Sequence, residues 1–158
     1  MEKEININSA SDMISLGEAI GKVVDANMVI ALDGDLGAGK TTLTKGIAKG
    51  LGITSVVNSP TFVIMKIYEG RLTLYHLDVY RTNDSEFELA EYFEMGGVSI
   101  VEWSRYIESL LPNGCLHIYI CRIGANKRKL YLEWSDNSYD KVVEALWEWW
   151  LWIHQVNI

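Results

Sequence analysis

Met28-Val29-Ile30-Ala31-Leu32 runs into Gly34-Asp35-Leu36-Gly37-Ala38-Gly39-Lys40-Thr41-Thr42, and a helical pattern follows from Thr41 to about Leu51. The second stretch meets G-x-x-x-x-G-K-[ST] in full, with Gly34, Gly39, Lys40 and Thr41 at the fixed positions. Strand before and helix after are the context that gives this pattern physical content. The glycines let the backbone turn tightly and approach an anion with no Cβ in the way. N–H groups from about Leu36 to Thr42 then converge at the positive end of a helix, which suits a phosphate. Lys40 supplies a mobile cation for the β- and γ-phosphates, and the Thr41 hydroxyl is placed to ligate Mg2+. The stretch predicts a nucleoside triphosphate site.

Upstream, Ile5-Asn6-Ile7 alternates as a short strand. Ser9 or Ser11 caps a helix to about Asp25, with Met13, Leu16, Ile20, Val23 and Val24 at helical spacing. Downstream, the loop's helix ends near Gly50 and Gly52, and Val56-Val57 leads to the turn signal Asn58-Ser59-Pro60-Thr61. Residues 61–68 read as strand, Glu69-Gly70 as a hairpin turn and 71–77 as the return strand. An acidic segment, 84–94, reads as helix, broken by Gly96-Gly97. Residues 98–101 form a short buried strand, and 105–111 a short helix stopped by Pro112-Asn113-Gly114. A hairpin over 116–123 and 129–134 precedes a last helix from Ser138 to about Ile153. This alternation predicts an α/β, three-layer fold of the P-loop type with a mixed, mostly parallel central sheet. In the last helix Val142, Val143, Leu146, Trp147, Trp149, Trp150 and Ile153 share one arc. Leu151 and Trp152 fall outside it, as scattered exposed apolar residues or as a partner-binding edge.

The 158 residues suit one domain spanning 1–158, long enough to bury a sizeable core. A net charge of −7 argues against this chain gripping nucleic acid by itself. The basic run Lys127-Arg128-Lys129 is the local exception, a solvated turn or a docking patch. The first 12 residues are polar with no apolar h-region behind them, and no run approaches a membrane span. Cys115 and Cys121 lie six apart in a strand-like run, roughly 20 Å if extended, too far to bridge. A cytoplasmic location with reduced thiols and no membrane partner is expected.

Hydrolysis needs a further carboxylate beside the loop. Asp78 closes the apolar run 72–77, and Glu102 closes 98–101. Acids at strand C-termini lie on the edge where ligands bind in open α/β sheets, although a surface turn also places acids there. Thr61, after Ser59-Pro60, is a candidate for the γ-phosphate or Mg2+, as a switch threonine is, or else a turn hydroxyl. Arg81 is a candidate for phosphate charge or a surface ion pair. The guanine-reading N/T-K-x-D is missing, because Asn126-Lys127-Arg128-Lys129 has Lys where Asp is required. No D-x-x-G follows Asp78, and no S-G-G-Q or Arg-rich lid is present. ATP is the default nucleotide.

Four stretches together resemble one bacterial family, the TsaE (YjeE) ATPases of tRNA threonylcarbamoyladenosine synthesis. They are Gly34 to Thr42, Ser59-Pro60-Thr61-Phe62, Tyr75-His76-Leu77-Asp78-Val79-Tyr80-Arg81 and Val101-Glu102-Trp103-Ser104. The resemblance covers roughly residues 5 to 135. It implies a small cytoplasmic ATPase that joins the TsaB and TsaD proteins and meets tRNA through that complex. Its ATP hydrolysis would support their repeated turnover without performing the transfer. It implies that Asp35, Leu36, Gly37, Ala38, Gly39, Lys40, Thr41 and Thr42 hold the nucleotide. It further implies that Thr41, Glu102 and the Walker-B-like Asp78 serve Mg2+, with Trp103 beside the nucleotide. Lys40, Asp78, Glu102 and the switch-like Thr61 would be the catalytic set, and the segment 9–12, Ser11 included, would lie near the adenine. Two other readings stay open: a small-molecule kinase, which shares the loop, and a non-hydrolysing nucleotide-gated adaptor that uses the Trp152 edge.

Overall fold

The apolar runs become strands of one sheet in the computed structural model, which describes residues 1–58, 65–80 and 86–154. In chain order they are β1 (Glu2–Ile7), β2 (Val29–Gly34), β3 (Met65–Tyr68), β4 (Leu74–Asp78), β5 (Val98–Glu102), β6 (Leu116–Arg122) and β7 (Arg128–Glu133). Across the sheet the order is β1-β7-β6-β2-β5-β4-β3. The helices are α1 (Ala10–Val23), α2 (Lys40–Gly50) and α3 (Asp140–Ile153). Segments Glu86–Glu94, Ser104–Leu110 and Asn137–Tyr139 wind as 3-10 helices.

The central strands β6, β2, β5 and β4 are parallel, and the pairings β1–β7, β7–β6 and β4–β3 are antiparallel. The expected mixed sheet is therefore parallel where crossovers join its central strands, and antiparallel in the β3–β4 and β6–β7 hairpins and where the N-terminal β1 adds onto β7. β5 is buried throughout and β2 nearly so, because both faces are covered. At the β1–β7–β6 end the pattern alternates: Ile5, Ile7, Leu130, Leu132, Leu116, Ile118 and Ile120 are buried, whereas Tyr119 and Tyr131 are exposed. Three layers hold at the centre, and one face of this end meets solvent. Ile30 pairs with Ile100 and Leu116, and Leu32 with Glu102 and Ile118. Glu102 thus shares a face with the apolar row.

Several element ends differ from the sequence pattern. The return strand begins at Leu74 rather than at residue 71. Arg71 instead turns back, and its Nη2 donates to the carbonyls of Gly21 and Val24 at 2.9 Å each. A guanidinium there satisfies open carbonyls at the negative end of α1, which outweighs a place in the strand. The acidic segment and the stretch after β5 are 3-10 rather than α-helical, and Ile107 breaks the second with φ −127°. α3 starts at Asp140 after a 3-10 turn capped by Asp136. Its arc packs as expected: Val142, Val143, Leu146 and Trp149 are buried, Trp147, Trp150 and Ile153 lie against the core, and Trp152 is 75% exposed. Cys115 and Cys121 are free thiols. Among the described residues no helix is long and apolar enough to cross a membrane.

Candidate functional site

Three strand ends meet beside the phosphate loop. β2 delivers the loop, β5 delivers Glu102 and Trp103, and β4 delivers Asp78. Parallel neighbours present their C-terminal ends on one edge, and the register sets Leu32 beside Glu102 and Glu102 beside Asp78. Two backbone bonds fasten that edge: Trp103 N–H donates to the Leu32 carbonyl at 2.9 Å and Val79 N–H to the Glu102 carbonyl at 3.2 Å.

Gly39, at φ 119°, is the N-cap of α2 and offers no side-chain cap. The open N–H groups of the first turn of α2 therefore remain for an anion. At Gly34 a Cβ would stand 2.5 Å from the Ile120 carbonyl oxygen, so only glycine lets the loop leave β2 alongside β6. Leu36 at the tip is 90% exposed. Lys40 is buried; its Nζ donates to the Gly34 carbonyl at 2.6 Å and the Asp35 carbonyl at 2.9 Å. The Trp103 ring covers the ammonium at 4.1 Å from its centroid. Burial holds the Lys40 pKa below the ordinary lysine value, against the raising pull of Glu102, Asp33, Asp78 and Asp35.

Thr41, next in the chain, turns its Oγ1 to the Glu102 carboxylate, donating toward Oε1 at 3.1 Å and Oε2 at 3.2 Å. Glu102 is 2% exposed. Asp78 is half-buried, and its Oδ1 accepts from Tyr80 N–H at 3.1 Å. The sequence-predicted Lys40, Thr41, Asp78, Glu102 and Trp103 are thus brought to one edge. Ser9, not Ser11, caps α1, accepting from Asp12 N–H at 3.0 Å. Ser11 is exposed, and a cavity of about 100 Å3 beside the loop is lined by Ser9, Ala10, Met13, Thr42, Asn126 and Arg128 among others. Thr61, with Ser59 and Pro60, and Arg81 lie outside the described residues.

A family model described as "Threonylcarbamoyl adenosine biosynthesis protein TsaE" matches residues 7–130. The chain belongs to the TsaE family. A tRNA threonylcarbamoyladenosine biosynthesis protein TsaE of Bacillus subtilis strain 168 is 46% identical over 147 residues, 91% of each chain. One from Treponema pallidum is 37% identical, covering 77% of this chain and 93% of the relative. Among solved structures, the crystal structure of Bacillus subtilis YdiB superposes with a TM-score of 0.82 at 38% identity, covering 94% of this chain and 95% of that one.

The TsaE span holds every site residue named above, whereas α3 lies beyond it. Two residues of this TsaE site escape sequence reading. Asp33, the penultimate residue of β2, accepts from Ser104 Oγ and from Arg105 N–H at 3.2 Å, pinning the turn that carries Trp103. Trp103 itself sits at φ 61°. Within the basic run Arg128 has a structural role: its Nε donates to the Ala38 carbonyl at 2.8 Å and its Nη1 to the Lys127 carbonyl at 3.0 Å. It ties the β6–β7 hairpin to the back of the phosphate loop. An acid at a strand end and an arginine in a basic turn are the only local signals, and neither names its partner.

Proposed function

We propose that this TsaE chain binds ATP with Mg2+ and hydrolyses it weakly alone, supporting turnover of a TsaB–TsaD complex that modifies tRNA. It contributes no transfer chemistry of its own and meets tRNA through that complex in the cytoplasm. One observation carries the reading: the Thr41 hydroxyl faces both oxygens of a buried Glu102 at the first turn of α2. A hydroxyl and a carboxylate converging at a phosphate loop are the hard oxygen donors that Mg2+ takes along with phosphate oxygens and water. The residues therefore fit the ion. When bound, it would neutralise charge on the β- and γ-phosphates. Asp78, beside Glu102 in the register, is the second carboxylate of this reading.

The chain's own groups do the rest. The N–H groups of 36–42 and the Lys40 ammonium bind the phosphates. Triphosphate oxygens would replace the carbonyls of Gly34 and Asp35 as partners of Nζ, and Trp103 would keep water from that contact. The cavity between the start of α1 and the β6–β7 turn is where the base end would lie. Thr61 completes the proposed catalytic set.

The test follows phosphate released from γ-labelled ATP with Mg2+, for the protein alone and then with TsaB, TsaD and tRNA. The expected result is slow release alone, faster release with the partners, and more than one round of tRNA modification. Label on a small acceptor, with no response to the partners, would establish a kinase instead.

A further inference from the structure

We propose that His76 is a positioning residue that fixes the Glu102 carboxylate for the divalent ion, an inference resting on the Mg2+ reading above. Glu102 is reached from two sides. From α2 the Thr41 hydroxyl donates toward both Oε1 and Oε2, and from β4 the His76 Nε2 meets Oε2. The sheet sets this up, because His76 pairs with Ile100 and lies diagonally across from Glu102 on the same face. Without that second anchor the long glutamate side chain would keep rotamers that the Thr41 contact alone does not remove.

The other ring nitrogen shows what the imidazole is kept for. His76 is wholly buried, and its Nδ1 has no hydrogen-bond partner among the described residues. Donation from Nε2 leaves Nδ1 as a buried lone pair. An aliphatic side chain between Leu74 and Asp78 would fill the space with no orphaned atom, so packing does not call for a histidine there. The Nε2 contact does. Groups that hydrogen-bond a metal-binding carboxylate from behind fix its orientation, and their removal costs roughly 10–100-fold in metal affinity or activity.

The test compares His76→Gln, whose amide nitrogen sits near the place of Nε2, with His76→Leu, which fills the site without a donor. Each protein is saturated with a non-hydrolysable ATP analogue. Mn2+ is then titrated in, and the free ion is followed by electron paramagnetic resonance. Analogue affinity without metal and thermal melting are measured alongside. The expected result is Mn2+ affinity about 10–100-fold weaker in His76→Leu, largely kept in His76→Gln, with metal-free analogue affinity unchanged in both. Equal Mn2+ affinity in wild type and a folded His76→Leu would overturn the proposal. So would equal losses in both variants that track lower melting temperatures. If His76→Leu does not fold, His76→Asn replaces it, because its shorter amide cannot reach Oε2. Asn then loses the ion while Gln keeps it, or the proposal is wrong. A wild type that binds the analogue but takes up no Mn2+ would remove the metal site itself, and this role with it.

Discussion

Lys40 is engaged within its own loop, its ammonium held by two carbonyls and roofed by an indole. On the proposed reading a triphosphate would have to outcompete neutral carbonyls, and it could do so because a hydrogen bond between two charged groups is about twice as strong as a neutral one. Lys40→Ala should therefore weaken ATP binding by about 10–100-fold, the size of one charge-assisted bond, or abolish turnover. Equilibrium titration with ATP and steady-state phosphate release check this, and wild-type values in both would undo the assignment. The two acids separate by contact. Glu102 touches the Thr41 hydroxyl, whereas Asp78 holds the turn at Tyr80. Glu102→Ala should damage Mg2+-dependent hydrolysis more than nucleotide affinity. If Asp78→Ala alone gives that pattern, the ranking of the two carboxylates is reversed. The loop, Glu102 and Asp78 were legible in the sequence because each is a local signal: a glycine pattern, and an acid ending an apolar run. The Glu102 contact with His76, and Asp33 and Arg128 as anchors, were not. They join residues 26, 71 and 90 positions apart, and only the strand order brings them together.

At the scale of elements, α2 aims the loop, and α1 sets the position of α2. The two helices cross with backbones nearly touching, through Gly17 and Gly21 on α1 and Gly46 and Gly50 on α2. A Cβ at Gly21 would stand 2.1 Å from the Ile47 carbonyl oxygen, and one at Gly17 would stand 2.6 Å from that of Leu43. Backbone cannot yield as a side chain does, so Gly21→Ala must push the helices apart. The expected cost is about 1–3 kcal/mol. Each kcal/mol lowers the melting temperature by about 2–4 °C in a domain of this size. Because α2 carries Lys40 and Thr41, ATP affinity should fall as well. Calorimetric melting with and without nucleotide checks both, and an unshifted melting temperature would mean that the crossing has slack. Helix existence was legible from apolar spacing, but this crossing was not. Glycines at 17 and 21 look like weak helix positions until their neighbours are known. The hairpin return failed for a similar reason: Arg71 reads as a strand residue, yet the end of α1 claims its guanidinium.

Over the whole molecule, the strand that carries the loop is anchored at its far end by the last third of the chain. Val29 N–H, at the start of β2, donates to the Tyr139 hydroxyl oxygen at 2.8 Å, and α3 follows directly. α3 in turn meets α1, with Trp149 Nε1 donating to Ser15 Oγ at 2.7 Å. Burial pushes the Tyr139 hydroxyl up from 10.0 to about 12 and the nearby Cys115 thiol up from 9.0 to about 11. Both groups favour the neutral form in the fold. Their contribution to stability is therefore complete below their unfolded values and is lost as pH rises through the folded ones. Melting temperature should hold to about pH 9 and then fall toward pH 12 as first the thiol and then the phenol ionise. Tyr139→Phe separates the two. It strands the Val29 N–H and should cost about 1–3 kcal/mol at pH 8. It also removes the tyrosine share of the alkaline loss, so its melting curve against pH should run lower yet flatten relative to wild type above pH 10. Parallel curves through pH 12 would show that Tyr139 ionisation is not coupled to the fold, and would leave the hydroxyl as an anchor for β2 alone.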